Sequence, residues 1–265
     1  MAISGKVGNV YSSALLVEDC EDVWVQGTAA TTVSRETGGK VGTYFVRGTT
    51  VALGATTLMM YEDLAATINL TTYDGIYCWL RSSLTTAAGD LQVLLDESTG
   101  CGSPDESLNV PALTAATWKQ FFARLSDPSI LNLVAAVGLK QITDLENGTF
   151  DIDDVQALKE IDGIKSWTLD YTADTLDATD FDDAGIRAHI IGLSGWSGSF
   201  EGYKDTTPLG IGAEVYLVMG ESTTAYQNWI GKAIITACHP ATSFDGTVTY
   251  SYDFQGTGEL TSPSA

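Results

Sequence analysis

The sequence predicts an all-β protein made of two-sheet sandwiches. Strand-like runs recur throughout its 265 residues, with Thr, Ser, Gly and Asp between them. Several runs alternate apolar and polar residues, the period of a half-buried strand. Others are short and continuously apolar, as in a sandwich interior. The first 160 residues contain no stretch of helical length and period.

The runs in the first part are GTYFVRGTTVAL, LMMYEDL, GIYCWLRSS, DLQVLLD, KQFFARL, LVAAVGLKQI and TFDIDDVQAL. So many short strands with turns between them predict a sandwich or jelly roll. A seam follows at Lys159–Gly163. Beyond it, Lys165, Trp167, Leu169 and Tyr171 share one face, opposite Ser166, Thr168 and Asp170. In GWSGSFEGY, Trp196, Gly198, Phe200 and Gly202 share a face, opposite Ser197, Ser199, Glu201 and Tyr203. Glycine on a strand face lets a neighbour approach closely. AEVYLVMG reads as a buried strand, and TTAYQNWIGKAIIT as a helix or a strand, with strand favoured from Asn228 by its β-branched residues. DDAGIRAHIIG, from Asp182, reads as a turn or one short helix with an acidic start. Near the end, Val248, Tyr250, Tyr252 and Phe254 alternate with Thr247, Thr249, Ser251 and Asp253.

Net charge is −21, from 34 acids and 13 bases. This argues against a protein that grips nucleic acid through its phosphates. It suits either plain solubility or a surface along which nucleic acid slides without sticking. No apolar run approaches the roughly 20 residues needed to span a bilayer, so no membrane partner is expected. Met1 is followed by one Lys and no apolar h-region, so no secretory signal is expected and the mature chain should start near Met1. Cys20, Cys78, Cys101 and Cys238 have no metal-ligand spacing. Buried free thiols are expected, with a Cys78–Cys101 bridge as the alternative.

Catalytic motifs are missing. His189 and His239 are the only histidines, and GLSGWSG lacks the strand-to-helix setting of a nucleophile elbow. There is no P-loop, dinucleotide fingerprint or HExxH. An enzyme is not expected. Two acidic clusters, VEDCEDVW (Val17–Trp24) and DIDDV (Asp151–Val155), stand at the two ends of the first part. Pairing of first and last strands would bring Glu18 or Glu21 near Asp153 or Asp154. Converging carboxylates make a Ca²⁺ site; solvated surface charge is the alternative. Strict alternation puts Asp151, Asp153 and Val155 on one face and Ile152, Asp154 and Gln156 on the other. The two aspartates then cannot both point inward, and Asp154 is the preferred ligand.

The segment IKSWTLDYTADTLDATDFDDAGIRAHIIGLSGWSGSFEGYKD resembles the tail tube (major tail) proteins of long-tailed bacteriophages. Those commonly carry W-x-L-x-x-x-A-D-x-x-D-x-T-x-F and then G-x-x-x-W-S-G-S-F-E-G-Y/F. The matches are Trp167, Leu169, Ala173, Asp174, Asp177, Thr179 and Phe181, then Leu193, Trp196 to Gly202, and Tyr203. IRAHIIG departs from the usual basic-aromatic stretch. The closing DGTVTYSYDFQGTGELT resembles the family's last strand. The likeness covers about Ile164 to Thr261.

Members often begin with a short MAI-small-G opening, followed within a few residues by the W-x-L strand. Here MAISGKVGNVYSS is followed by that strand some 150 residues late. An inserted domain explains the delay, since loop tips tolerate insertion. The expected organisation is a discontinuous tail-tube β-sandwich or barrel, residues 1–13 and 161–265, carrying an inserted jelly roll, residues 14–160. Ile3, Val7 or Val10 would serve the tube core or ring contact, with Met1–Ser13 paired to strands beyond Ile164. The insert resembles carbohydrate-binding-module-like jelly rolls through VEDCEDVWV, YDGIYCWLRSS, LNVPALTAATWKQFFARLSDPSIL and VGLKQI…FDIDDVQAL. Such modules commonly hold a structural Ca²⁺ at their acidic ends, which the resemblance would place at Glu18 and Asp154. Tyr61, Tyr73, Tyr77, Trp79 and Trp118 are the aromatics from which a sugar platform would come, with Trp79 and Trp118 better suited to the core.

The tube resemblance implies a virion tail protein, made in the host cytoplasm, whose copies form stacked rings, usually of six. It implies contacts with other tail proteins at the tube ends and passage of viral DNA through the bore. Ring closure covers sheet edges that a lone subunit exposes. The motif residues Trp167, Leu169, Asp174, Asp177, Phe181, Trp196, Gly198, Phe200 and Gly202 would serve ring assembly. Residues 1–14 plus 161–265 carry 14 acids and 5 bases, net −9; the insert carries 20 and 8, net −12. An acidic lumen would repel phosphate. The insert would project outward, to decorate the tail or attach it to host-surface glycans. The alternatives are a capsid decoration or head-surface protein, and a non-catalytic sugar-binding accessory module of a secreted enzyme.

Overall fold

The computed structural model describes residues 9–51, 54–179, 186–204, 208–221, 226–242, 244 and 246–263. The strands of the first part are β1 (Val10–Glu18), β2 (Val25–Gln26), β3 (Thr31–Thr37), β4 (Tyr44–Thr50), β5 (Thr57–Ile68), β6 (Gly75–Ser82), β7 (Leu91–Asp96), β8 (Glu106–Asn109), β9 (Lys119–Arg124), β10 (Val134–Gln141) and β11 (Gly148–Glu160). Those of the second part are β12 (Ile164–Asp177), β13 (His189–Tyr203), β14 (Glu214–Gly220), β15 (Asn228–Ala241) and β16 (Thr249–Thr261). All seven quoted runs of the first part are strands, and the protein is all-β. Helical structure among the described residues is limited to two 3₁₀ turns, at Thr99–Cys101 and Pro128–Ile130. The region read as a turn or short helix from Asp182 lies outside the described residues up to 185, and from His189 it is strand. Asn228 begins a strand.

The strands form two sheets. The smaller runs β2-β5-β10-β7-β8. The larger runs β12-β13-β16-β15-β14-β1-β11-β4-β3, with β6 also on β11 and β9 on β6. In the first part the two sheets face each other over a core that includes Trp24, Met59, Leu80, Phe121, Val137, Phe150 and Ile152. Alternation sets this: Ile76, Cys78 and Leu80 point into that core, so Tyr77, Trp79 and Arg81 take the other face.

The second part has its own core of Val10, Trp196, Phe200, Val215, Leu217, Met219, Ala233, Ile235, Tyr252 and Phe254. All its strands belong to one sheet, so that sheet must curl over itself. The indole of Trp167 shows the curl: from β12, at the sheet edge, it donates to the Gly220 carbonyl at the end of β14, 3.3 Å away.

β1 joins the two parts. Val10–Ser12 pair with Leu217–Met219 of β14, beyond Ile164, while Tyr11–Ser13 also pair with Leu158–Glu160 of β11, which the expectation did not include. Ile3 and Val7 lie outside the described residues. The same strand continues to Glu18 without a break, along β11. The expected boundary at 13/14 therefore falls inside a strand, and the one at 160/161 falls at the end of β11. A third apolar cluster fills the space between the parts, with Tyr11, Tyr77, Trp79, Phe122 and Leu158 against Tyr216, Val218 and Ile230. The four cysteines are free thiols, with Cys20, Cys78 and Cys101 buried; the Cys78–Cys101 alternative is not formed.

Candidate functional site

The motif residues of the second part separate into two groups. Trp196 and Phe200 are buried, and Trp167 and Leu169 pack on the same core. Phe200 stacks on Tyr252 at 5.1 Å. The Trp196 indole donates to Gly258 O at 2.9 Å and lies on Gly231 and Gly256, where an added Cβ would stand 2.5 and 2.1 Å from the ring. Those two glycines form the floor for Trp196, and their place in the sequence gave no sign of it. At Gly198 an added Cβ would meet Thr168 O at 2.1 Å, and at Gly202 it would meet Gly163 O at 2.4 Å. A close approach at both glycines is made within this chain, by the backbone of Thr168 and Gly163. Asp174 and Asp177 are exposed. Asp177 accepts from the Thr179 amide and hydroxyl at 2.9 and 2.5 Å, which pulls its carboxyl below the usual range. Phe181 lies outside the described residues.

β12 and β13 pair along nearly their whole length, from Ile164↔Gly202 to Asp177↔His189. β13 pairs with β16 only over Ser197–Tyr203. Tyr171–Asp177 and His189–Gly195 therefore form a two-stranded arm beyond the sheet, with both outer edges unpaired among the described residues. The arm is apolar on both faces. Adjacent Ile190 and Ile191 point to opposite sides, and they are 57% and 81% exposed; Leu193 is 85% exposed, and Tyr171 and Leu176 are also open. A lone two-stranded ribbon is marginally stable in water, and an open apolar edge invites pairing with another chain.

The two acidic clusters of the first part do meet. Glu21 Oε1 accepts from the amides of Thr43 and Tyr44 at 2.6 and 3.1 Å. Asp153 Oδ2 accepts from the amides of Lys40 and Val41 at 2.6 and 3.1 Å. Both carboxylates thus hold the turn between β3 and β4. The expected face assignment fails at Asp154, where φ is +53° and the β11–β6 register slips between Asp153 and Gln156. This is a β-bulge, and it puts consecutive side chains on one side of the strand. Asp153 and Asp154 are consequently both buried, and Val155 turns into the core.

The two residues put forward for Ca²⁺, Glu18 and Asp154, are both engaged within the chain. Asp154 accepts from the Tyr216 hydroxyl and, at 2.6 Å, from Gln156 Nε2. Glu18 Oε1 caps the Cys20 amide at 3.0 Å. Among the described residues no three acidic, His or Cys side chains are grouped to hold a metal. Burial, and secondarily the charges of Asp154 and Glu21, raise the Asp153 carboxyl to about 7 although two amides oppose the shift.

The expected sugar-platform aromatics are mostly covered. Tyr77 is buried and stacks on Tyr216 at 4.4 Å, and Trp79 is buried beneath Lys40, whose Nζ lies 4.6 Å from the ring centroid. Trp118 meets Phe45 edge-on at 5.3 Å, with the Arg81 guanidinium 4.5 Å above its ring. Arg81 and Arg47 both bind buried Asp151, each through Nε at 2.7 Å. Tyr61 and Tyr73 are half-buried against apolar clusters of the first part.

No family model matches the chain, and neither does any curated protein. Among solved structures it is similar to the tail of an empty gene transfer agent particle of C6 symmetry, with 18% identity, TM-score 0.35, and 40% of this chain on 87% of that one. It is also similar to a chain of the native gene transfer agent virion, with 21% identity, TM-score 0.34, and 41% on 89%. A third similarity is to the CBM22-1–GH10 modules of Clostridium thermocellum endo-1,4-β-D-xylanase 10B with xylohexaose, with 13% identity, TM-score 0.39, and 63% of this chain on 30% of that one. Among the described residues no helix is long and apolar enough to cross a membrane.

Proposed function

We propose that this chain is a non-catalytic structural subunit of a phage-type tail tube in the virion. Its copies close into rings, six to a ring, and the rings stack into a conduit for viral DNA. The first part stands outside the tube as a jelly roll that decorates the tail or attaches it to host glycans. One observation carries the reading: the β12–β13 arm, with open edges and exposed Tyr171, Leu176, Ile190, Ile191 and Leu193. Such a ribbon is stabilised when a second copy covers it, and closing a ring covers the arm's edges in every copy at once. The W-x-L and W-S-G-S-F-E-G elements fix which strands form the arm and anchor it to the second core. The net charge of −9 on residues 1–14 plus 161–265 keeps phosphate from adhering to a bore.

Negative-stain electron microscopy of the purified chain tests this. Rings or hollow tubes with knobs outside are expected. A flat lattice would point to a head-surface protein, and monomers at high concentration would contradict assembly.

A further inference from the structure

We propose that a crevice between the two parts binds a neutral saccharide unit. The proposal rests on the glycan-display half of the reading above and is independent of tube assembly. The crevice has a volume of ≈ 320 Å³ and opens where the free edges of β8 and β9 face one another, with Gly220, Tyr226 and Asn228 of the second part closing one side. That volume falls within the range of small-molecule sites. Its apolar floor is Phe122, tilted against Tyr11 at 4.8 Å.

Hydrogen-bonding groups surround that floor. Glu106 is 6% exposed; its Oε2 accepts from the Ser126 amide and hydroxyl at 2.8 and 2.7 Å. No described residue donates to its Oε1, so that carboxylate oxygen of a lining residue remains available to a ligand hydroxyl. The Asn228 carboxamide and the Ser107 hydroxyl also line the wall and make no side-chain hydrogen bond within the described residues. Tyr226 spans the mouth, its hydroxyl donating to Asn109 O at 2.9 Å, and it does so at φ +67°. A bulky residue in the left-handed region is strained, and such strain gathers at ligand clamps.

The chemistry selects the ligand. Carboxylate, carboxamide and hydroxyl groups over an aromatic floor suit a compact ligand whose hydroxyls both donate and accept and whose ring C–H face is apolar. A phosphate is disfavoured, because the lining's cation, Arg124, already pairs with Glu160 at 2.7 Å and Glu106 adds negative charge. A lipid is disfavoured by the polar wall.

The test uses the full chain and calorimetric titration with glucose, galactose, mannose and xylose, and with α- and β-linked oligosaccharides of each. Binding of at least one is expected, with Glu106→Gln and Asn228→Ala each weakening it by roughly tenfold or more at unchanged melting temperature. Binding of monosaccharides would assign a free sugar, and binding of oligosaccharides alone a surface glycan. Two results overturn the proposal: no binding at about 10 mM sugar, or binding untouched by both variants. Microscopy of the same variants separates the two readings. Intact tubes without sugar binding sink only the crevice, whereas sugar binding without tubes sinks only assembly.

Discussion

The two parts of the chain handle their apolar surface differently. The first part closes on itself, because two sheets face each other and Phe121, Phe150 and Ile152 are sealed between them. The second part has one sheet, and curling it encloses Trp196, Phe200 and Phe254 but leaves the β12–β13 arm bare. Damage to the first part should therefore show as lost folding stability, and damage to the arm as lost association.

The largest expected effect is in the closed core. Phe150→Ala should cost about 3–5 kcal/mol, through lost burial and the cavity left behind, measured by denaturant unfolding. A loss below about 1 kcal/mol would mean that the first part is not sealed as described.

The next effect depends on pH. The Asp153 carboxyl is raised from 3.8 to about 7 in the folded protein. The folded state therefore binds this proton more tightly than the unfolded chain does. The resulting stability is fully present below the unfolded value and is lost as pH rises through about 7. The wild-type melting temperature should fall between pH 5 and 8, by the equivalent of about 3 kcal/mol. Asp153→Asn should remove the Asp153 share of that slope. Glu62, raised to about 7 chiefly by burial and then by Asp22, Glu18 and Asp63, leaves a slope of the same sign, reduced because the side chain is only half-buried and solvent screens it. A variant as pH-dependent as the wild type would place the titration elsewhere.

Gly198→Ala should cost about 1–3 kcal/mol by overpacking, because its Cβ would press on Thr168 O and on Phe254. A neutral result in thermal unfolding would mean that β12 is not held there. The smallest effect on stability belongs to the arm. Ile191→Ser with Leu193→Ser should change monomer stability by less than about 0.5 kcal/mol while abolishing rings and tubes in sedimentation. Variants that still assemble would remove the arm from the contact.

Period-2 patterning made much of this legible. The faces of β12, β13 and β16 were readable because Trp167, Trp196, Phe200, Tyr252 and Phe254 alternate with small polar residues. The convergence of the acidic clusters was readable from their positions at the two ends of the first part. The bulge at Asp154 was not, since a non-glycine residue at positive φ leaves no mark in composition, and the face assignments of Asp154 and Val155 failed with it. Nor was the continuity of β1. The change from small to acidic residues after Ala14 falls inside β1, which pairs with β14 only over Val10–Ser12 and with β11 from Tyr11 to Glu18. The saccharide crevice is assembled from β8, β9 and the start of β15, segments far apart in the chain, so no local motif could announce it.

Hydrogen exchange on assembled and monomeric protein, read by mass spectrometry, tests the central claim most directly. Amide protection tracks local covering of backbone. The account predicts that residues 171–177 and 189–195 exchange rapidly in the monomer and become strongly protected in the assembly, with β5, β7 and β10 unchanged. Equal, rapid exchange of the arm in both states would contradict it.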